Sequence, residues 1–251
     1  MPKADIQTLI GFLDKLLEPG VFDDYGPNGL QVPGRTEIVT VVTAVSAGIE
    51  LFERAAEAGA DLIIVHHGLF WKGPPRGLDA AAKRRLQLLF DHDINLAAYH
   101  LPLDGHLEHG NNSLLAIGLG AEVTGSFAGG IGVTASFAGD GIAAGDLAAR
   151  VQELCAREPL AVLSGPPQVR SIAIVSGGGQ GHLPEAIAAG HDAFLTGECS
   201  ERNFNEAREG GIHFLAAGHY ATETLGVRRL GDLLAERFGL EHVFIDVPNP
   251  I

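Results

Sequence analysis

Cysteine is nearly absent from this chain of 251 residues, with only Cys155 and Cys199 present. They form no Cys-x-x-Cys motif, and the expectation is two reduced, buried thiols in a cytoplasmic protein. Basic residues are also few: 17 Lys and Arg face 31 Asp and Glu, for a net charge of −14. Such a surface repels nucleic acid and anionic membranes, although a local cationic or metal-bearing cleft still attracts an anion. No apolar run approaches the length of a membrane span. The start, Met1-Pro2-Lys3-Ala4-Asp5, lacks a signal-peptide core. Glycine and proline are spread out, so no low-complexity segment is expected. Tryptophan occurs once, at Trp71.

What is present is an ordinary globular composition, 46% hydrophobic and 19% charged, enough for one large or two small domains. The most informative stretch runs from Ala60-Asp61 through Leu62-Ile63-Ile64-Val65 to His66-His67-Gly68. A short β-branched apolar run stopped by glycine reads as a central strand of a parallel sheet. Ligands in open α/β sheets sit at the carboxyl ends of such strands, where the two histidines fall. Neighbouring strand residues point to opposite sides, so each histidine is expected to serve one of two adjacent ions.

The spacing of apolar residues predicts a helix over 6–17 and a turn-rich loop over 23–32. A strand over 38–45 and a helix over 49–58 complete a βαβ unit with the histidine strand. The loop Phe70-Trp71-Lys72-Gly73-Pro74-Pro75 follows. Its tryptophan is either a wall of a pocket near the histidines or a hydrophobic anchor for the loop. A helix over 80–92, a strand over 94–99 and a helix over 112–119 come next. Gly125 to Gly132 is the expected domain junction, giving a first domain over 1–126 and a second over 127–251. Beyond it come strands over 133–137, 161–163 and 172–175 and a helix over 143–156. A closing helix over 222–238 and strand over 243–247 are able to pack back on the first domain.

The second half echoes the first. Strand, helix, Ala-Gly59 and Asp61-Leu62-Ile63-Ile64-Val65-His66-His67 are answered by strand, helix, Ala-Gly190 and Asp192-Ala193-Phe194-Leu195-Thr196-Gly197-Glu198. Tyr99-His100-x-x-x-Asp104 is answered by Gly218-His219-x-x-x-Glu223. The expected fold is therefore α/β, two related α/β domains from an internal duplication, with a metal site in the cleft between them.

Ligand-type residues cluster at the predicted strand ends. The spacing assigns His66, His67, Asp104, His219 and Glu223 as metal ligands, with His219 and Glu223 at i, i+4 on one helical face. Imidazole mixed with carboxylate suits Zn, Mn, Fe, Co or Ni better than Ca. Five ligands exceed what one catalytic zinc with an open position takes, and fit two ions bridged by a carboxylate, for which Glu223 is favoured. A metal-bridging water would then be the nucleophile. His100 stands as a more distant ligand, a general acid or base, or a residue orienting the ligands. Glu198 takes the place of the histidine pair in the duplicated unit and is expected to hydrogen-bond a ligand. His92, His109, His182, His191 and His242 read as ordinary core or surface groups. Ser176-Gly177-Gly178-Gly179-Gln180-Gly181 reads as a phosphate nest or, preferably, a tight turn or close packing point. No Ser-His-Asp or Cys-His constellation is visible.

At these residues the sequence resembles the Nif-three-like dinuclear-metal proteins, often named GTP cyclohydrolase 1 type 2 homologues. The marks are Asn28-Gly29-Leu30-Gln31-Val32, Ala60-Asp61 through His66-His67-Gly68, Tyr99-His100-x-x-Leu103-Asp104, Gly110-Asn111-Asn112, Thr196-Gly197-Glu198 and Gly218-His219-x-Ala221-Thr222-Glu223. They span essentially the whole chain and look most like the short bacterial branch. The second motif ends in Asp in some members where this chain has Glu198, which keeps the charge. The resemblance implies the same five ligands, two divalent ions per chain, and a toroidal homohexamer with sites facing an internal cavity. It also implies hydrolytic opening of the imidazole ring of GTP with loss of formate; His100 and Glu198 are the residues expected to take catalytic roles. The alternative is a non-enzymatic metal-binding scaffold, a metal store or chaperone, or a partner-binding regulatory protein.

Overall fold

A computed structural model describes residues 2–73 and 77–251 of the chain. Pro74 and Pro75 of the tryptophan loop lie outside the described residues. The chain is α/β throughout and divides into two compact units. The first runs to Leu103 and regains the chain at Val227–Val247; the second holds Asp104–Gly226 and Pro248–Ile251.

The first unit is built on a five-stranded sheet in the order Glu241–Phe244, Thr40–Ser46, Leu62–His67, Asn95–Ala98, Gly29–Val32. The first four strands are parallel and the last is antiparallel. Leu62, Ile63, Ile64 and Val65 are inaccessible to solvent, which is why the central strand tolerates no alternation of polar residues. Burying each such side chain contributes roughly 1.5–3 kcal/mol. Ile63 and Val65 pack with Leu51, Phe52 and Ala55 of the Ile49–Glu57 helix and Leu89 of the Ala80–Asp91 helix. The strand extends through both histidines, two residues beyond the apolar run Leu62–Val65. The predicted first strand begins later, at Thr40, because Glu37–Ile38 pairs separately with Ala4–Asp5. The closing strand is Glu241–Phe244 rather than 243–247.

The second unit has a six-stranded sheet in the order Leu160–Leu163, His213–Ala216, Ala193–Thr196, Ser171–Val175, Gly132–Ser136, Glu122–Phe127. Its three middle strands from His213 to Val175 in that order are parallel, and antiparallel strands flank them. Alternate residues feed two cores. Ile172, Ile174 and Leu195 join Leu115, Leu147 and Val151, while Ala173, Val175 and Phe194 join Leu183 and Phe214. The glycine-rich stretch from Gly125 to Gly132 is the turn region of the hairpin joining Glu122–Phe127 to Gly132–Ser136.

Both units repeat one strand order. An antiparallel strand, Gly29–Val32 or Leu160–Leu163, lies against the last of three parallel strands that follow it in the chain, Thr40–Ser46, Leu62–His67 and Asn95–Ala98 or Ser171–Val175, Ala193–Thr196 and His213–Ala216. A local device repeats as well. Asp61 Oδ2 accepts the backbone N–H groups of Val39 and Thr40 at 2.7 and 2.9 Å. Asp192 Oδ2 accepts those of Arg170 and Ser171 at 2.8 and 3.0 Å. Each carboxylate thus fixes the start of the neighbouring parallel strand. The repeated topology is consistent with the internal duplication read from the sequence.

Cys155 is buried as expected, and burial pushes its thiol up to about 11. Cys199, by contrast, is exposed, because it lies beyond the end of the Ala193–Thr196 strand instead of entering a core. Among the described residues no helix is long and apolar enough to cross a membrane.

Candidate metal centre

In the first unit the parallel strands deliver their chemistry at their carboxyl ends. His66 and His67 close the Leu62–His67 strand, and His100 follows the Asn95–Ala98 strand. Each of the three offers a ring nitrogen, and these atoms lie within 4.8 Å of one another. The ring centroids of His66 and His67 are 4.7 Å apart, so their opposite strand parity does not separate them.

Each ring is held by its Nδ1 atom. His66 Nδ1 lies 2.9 Å from the carbonyl oxygen of Tyr99. A carbonyl only accepts, so Nδ1 carries the proton and Nε2 keeps its lone pair, the tautomer a metal ligand needs. His67 Nδ1 lies 2.9 Å from Ser46 Oγ. Ser46 is the residue paired with His67 in the parallel register, which places the hydroxyl beside the ring. His100 Nδ1 donates to Asp24 Oδ1 at 2.6 Å.

Asp24 has no signal in the sequence beyond its turn-rich loop. It is buried, and burial alone would raise its carboxyl. Hydrogen bonds from His100, Asn28 and the Leu101 backbone outweigh that and hold it at about 2. The carboxylate is therefore a fixed charge that orients His100 and the start of the Leu101–Gly105 helix.

In the second unit Asp104, His219 and Glu223 are joined by Glu198. Asp104 and Glu223 are buried and offer carboxylate oxygens within 4.8 Å of each other. Asp104 Oδ1 accepts from Asn111 Nδ2 at 2.8 Å and from Ser176 Oγ at 3.1 Å. His219 Nε2 lies 3.3 Å from Glu223 Oε1, and His219 Nδ1 lies 2.6 Å from Glu198 Oε1. The hydrogen bond to Glu223 raises His219 most, burial opposes it, and Glu198 adds to the rise, giving about 9.

The glycine loop serves this arrangement as a close packing point. Gly177 has φ 58°, and a side-chain carbon there would overlap Glu223 Oε1 and stand 3.0 Å from His219 Nε2. Its N–H donates to Thr222 Oγ1 at 3.0 Å, and its carbonyl accepts the N–H groups of Gly197 and Glu198. Space is thus kept clear where the carboxylate and imidazole converge.

The donor set passes the test of fit for a divalent metal. Within the first unit three imidazoles converge, within the second an imidazole and two carboxylates do, and the atoms not needed for coordination on His66, His67, Asp104 and His219 are already held. Ser46, Asn111, Ser176 and Asp24 were not assigned from the sequence. Strand register would have found Ser46, and the Gly110-Asn111-Asn112 motif contained Asn111 without showing its role.

One further chain of polar groups is structural. Asp232 Oδ1 lies 2.9 Å from His242 Nδ1, whose Nε2 lies 2.8 Å from Thr43 Oγ1. The order imitates a nucleophile triad, but Thr43 is wholly buried, so no substrate reaches the hydroxyl.

A two-unit α/β chain with three histidines gathered in one unit and a histidine with two carboxylates in the other is, as a class, a candidate metal-binding protein. The chain belongs to the DUF34/NIF3 (NGG1p interacting factor 3) family, whose pattern matches residues 4–250. A Pseudomonas aeruginosa relative named GTP cyclohydrolase 1 type 2 homolog is 48% identical, with 98% of each chain covered. Two solved structures are each 40% identical and cover 98% of this chain and 100% of their own. One is protein ybgI, of unknown function, with a TM-score of 0.93; the other is TTHA1606 from Thermus thermophilus, with a TM-score of 0.91.

Proposed function

We propose that this protein is a dinuclear divalent-metal hydrolase acting on GTP or a related nucleotide or heterocycle. His66, His67, Asp104, His219 and Glu223 are the ligands. The observation that carries this reading is that four of the five already have their remaining polar atom held, by Tyr99, Ser46, Asn111 with Ser176, and Glu198. Such outer partners fix ring orientation and raise ligand basicity, as metal-ligating side chains require. The relative's name, GTP cyclohydrolase 1 type 2 homolog, supports the choice of reaction.

Two bound ions supply Lewis acidity and a water of lowered pKa. The chain's own residues do the rest. Glu198 holds the proton of His219 at Nδ1, and Tyr99 holds that of His66 at Nδ1. Asp24 keeps the His100 proton on Nδ1, so Nε2 is the atom that takes or returns a proton in general acid–base work. Asn111 and Ser176 keep Asp104 from rotating. The family resemblance supports a homohexamer in the cytoplasm.

The test pairs elemental analysis of purified protein with formate detection after incubation with GTP. Two ions per chain with formate release support the hydrolase, and His67→Ala or Glu223→Ala should then remove both metal and turnover. Turnover that survives complete metal removal would overturn it. A second reading, a metal-bearing partner module, draws on the words "interacting factor" in the family description. It predicts bound metal with no turnover on any nucleotide.

A further inference from the structure

Trp71 is the only tryptophan, and aromatic side chains are scarce at 6% of the chain. Trp71 and Tyr25 are nevertheless exposed, at 48% and 66%. Both flank His100: the Trp71 ring centroid is 5.3 Å from it at 85°, and that of Tyr25 is 6.0 Å from it at 62°. Trp71 also lies 6.0 Å from His67.

The loops that carry the two rings are fastened to each other. Lys72 N–H donates to the Tyr25 carbonyl at 2.5 Å, and the Lys72 ammonium pairs with Asp23. Between them Gly26 is so close to Phe70 that an added side-chain carbon would stand 2.5 Å from its carbonyl oxygen. Two aromatic faces are thus held in water beside the histidines.

We infer that Tyr25 and Trp71 form a stacking site for a fused heteroaromatic ring, which they recognise by its face and not by its edge. The two side-chain amides nearby, Asn28 and Gln31, are already engaged. Asn28 donates to Asp24 and accepts from the His100 backbone, and Gln31 donates to the Pro27 carbonyl and accepts from the Leu69 backbone. Stacking on aromatic side chains is tolerant of base identity because every base has a π-face. The site therefore takes purines alike. This inference rests on the proposed function, since it names the substrate class for the same histidines.

A single tryptophan makes the experiment direct, because its emission reports this site alone. Metal-loaded full-length protein is titrated with guanosine, adenosine and, as a ring-free control, ribose 5-phosphate. The expected result is a saturable change in emission with both nucleosides, with Kd values within about threefold of each other, and none with the sugar phosphate. Tyr25→Ala should raise Kd about tenfold and Tyr25→Phe should restore it. No saturable response, an unchanged Kd in Tyr25→Ala, or a preference for guanosine above about tenfold would overturn the inference. Elemental analysis of the same samples separates the two proposals. Bound nucleosides without metal sink the metal reading alone, and full metal without nucleoside response sinks this one alone.

Discussion

His219 Nδ1 and Glu198 Oε1 form a 2.6 Å hydrogen bond, and the opposite ring nitrogen faces Glu223 at 3.3 Å. The histidine is therefore gripped by a carboxylate on each side. Without metal this favours the doubly protonated ring, and a metal at Nε2 must displace a proton.

The pH dependence follows. His219 is raised to about 9, above its ordinary 6.5, first by Glu223 and less by Glu198. Its contribution to stability is fully present below about 6.5 and is lost as pH rises through about 9. Metal-free protein should lose Tm across that window, and metal uptake after chelation should climb across it. Glu198→Gln should shift the uptake curve to lower pH. Superimposable uptake curves for the two proteins would show that Glu198 does not set the proton affinity.

Asp24 gives the opposite dependence. Held at about 2 against an ordinary 3.8, its carboxylate stabilises the fold above about 4, and that is lost as pH falls through about 2. The shift corresponds to about 2 kcal/mol. Asp24→Asn should flatten acid denaturation between those values, which urea titration at a series of pH values measures. It should also free the His100 ring, seen as loss of its slowly exchanging Nδ1 proton in NMR spectra.

Much of this was legible. The apolar run Leu62 to Val65 announced the central strand, and the paired motifs ending in Asp104 and Glu223 suggested a duplication with which the two sheets are consistent. Boundaries set by pairing were not. Glu37–Ile38 separates from the next strand because it pairs with Ala4–Asp5, a contact that no local periodicity encodes. The residues that hold the ligands were mostly hidden for the same reason: Asp24 reaches His100 from 76 positions away, and Ser176 reaches Asp104 from 72. The glycines from Gly125 to Gly132 looked like a junction because a hairpin turn and an interdomain linker draw on the same residues.

Gly177→Ala tests the cleared space. The added carbon would overlap Glu223 Oε1, and the backbone has φ 58°, which for alanine costs roughly 1–2 kcal/mol. The variant should remain folded and bind metal at less than about half the wild-type occupancy, because Glu223 must move. Full occupancy by elemental analysis would show that the glycine is needed only for its turn.

The twin carboxylates should differ in weight. Asp61 is buried and also pairs with Arg35 at 2.8 Å, whereas Asp192 is half-buried and serves backbone groups and Ser171. Asp61→Ala leaves two strand N–H groups without their acceptor and takes one partner from Arg35, which keeps the His92 and Asp93 carbonyls, and should cost about 2–4 kcal/mol. Asp192→Ala should cost about 1–3 kcal/mol. Chemical denaturation of both variants ranks them, and equal losses would deny the ion pair any part.

The Glu241–Phe244 strand completes the first sheet by pairing with Thr40–Ser46, yet all but the last four residues of the second unit are translated in between. On the ribosome the Thr40–Ser46 strand must wait as an open edge, a recognised aggregation hazard. The second unit, contiguous apart from its last four residues, can close first. Vectorial synthesis thus favours an order of maturation in which the amino-terminal sheet is the last to be sealed, and truncation near the carboxyl terminus would strike the part of the protein that was made first.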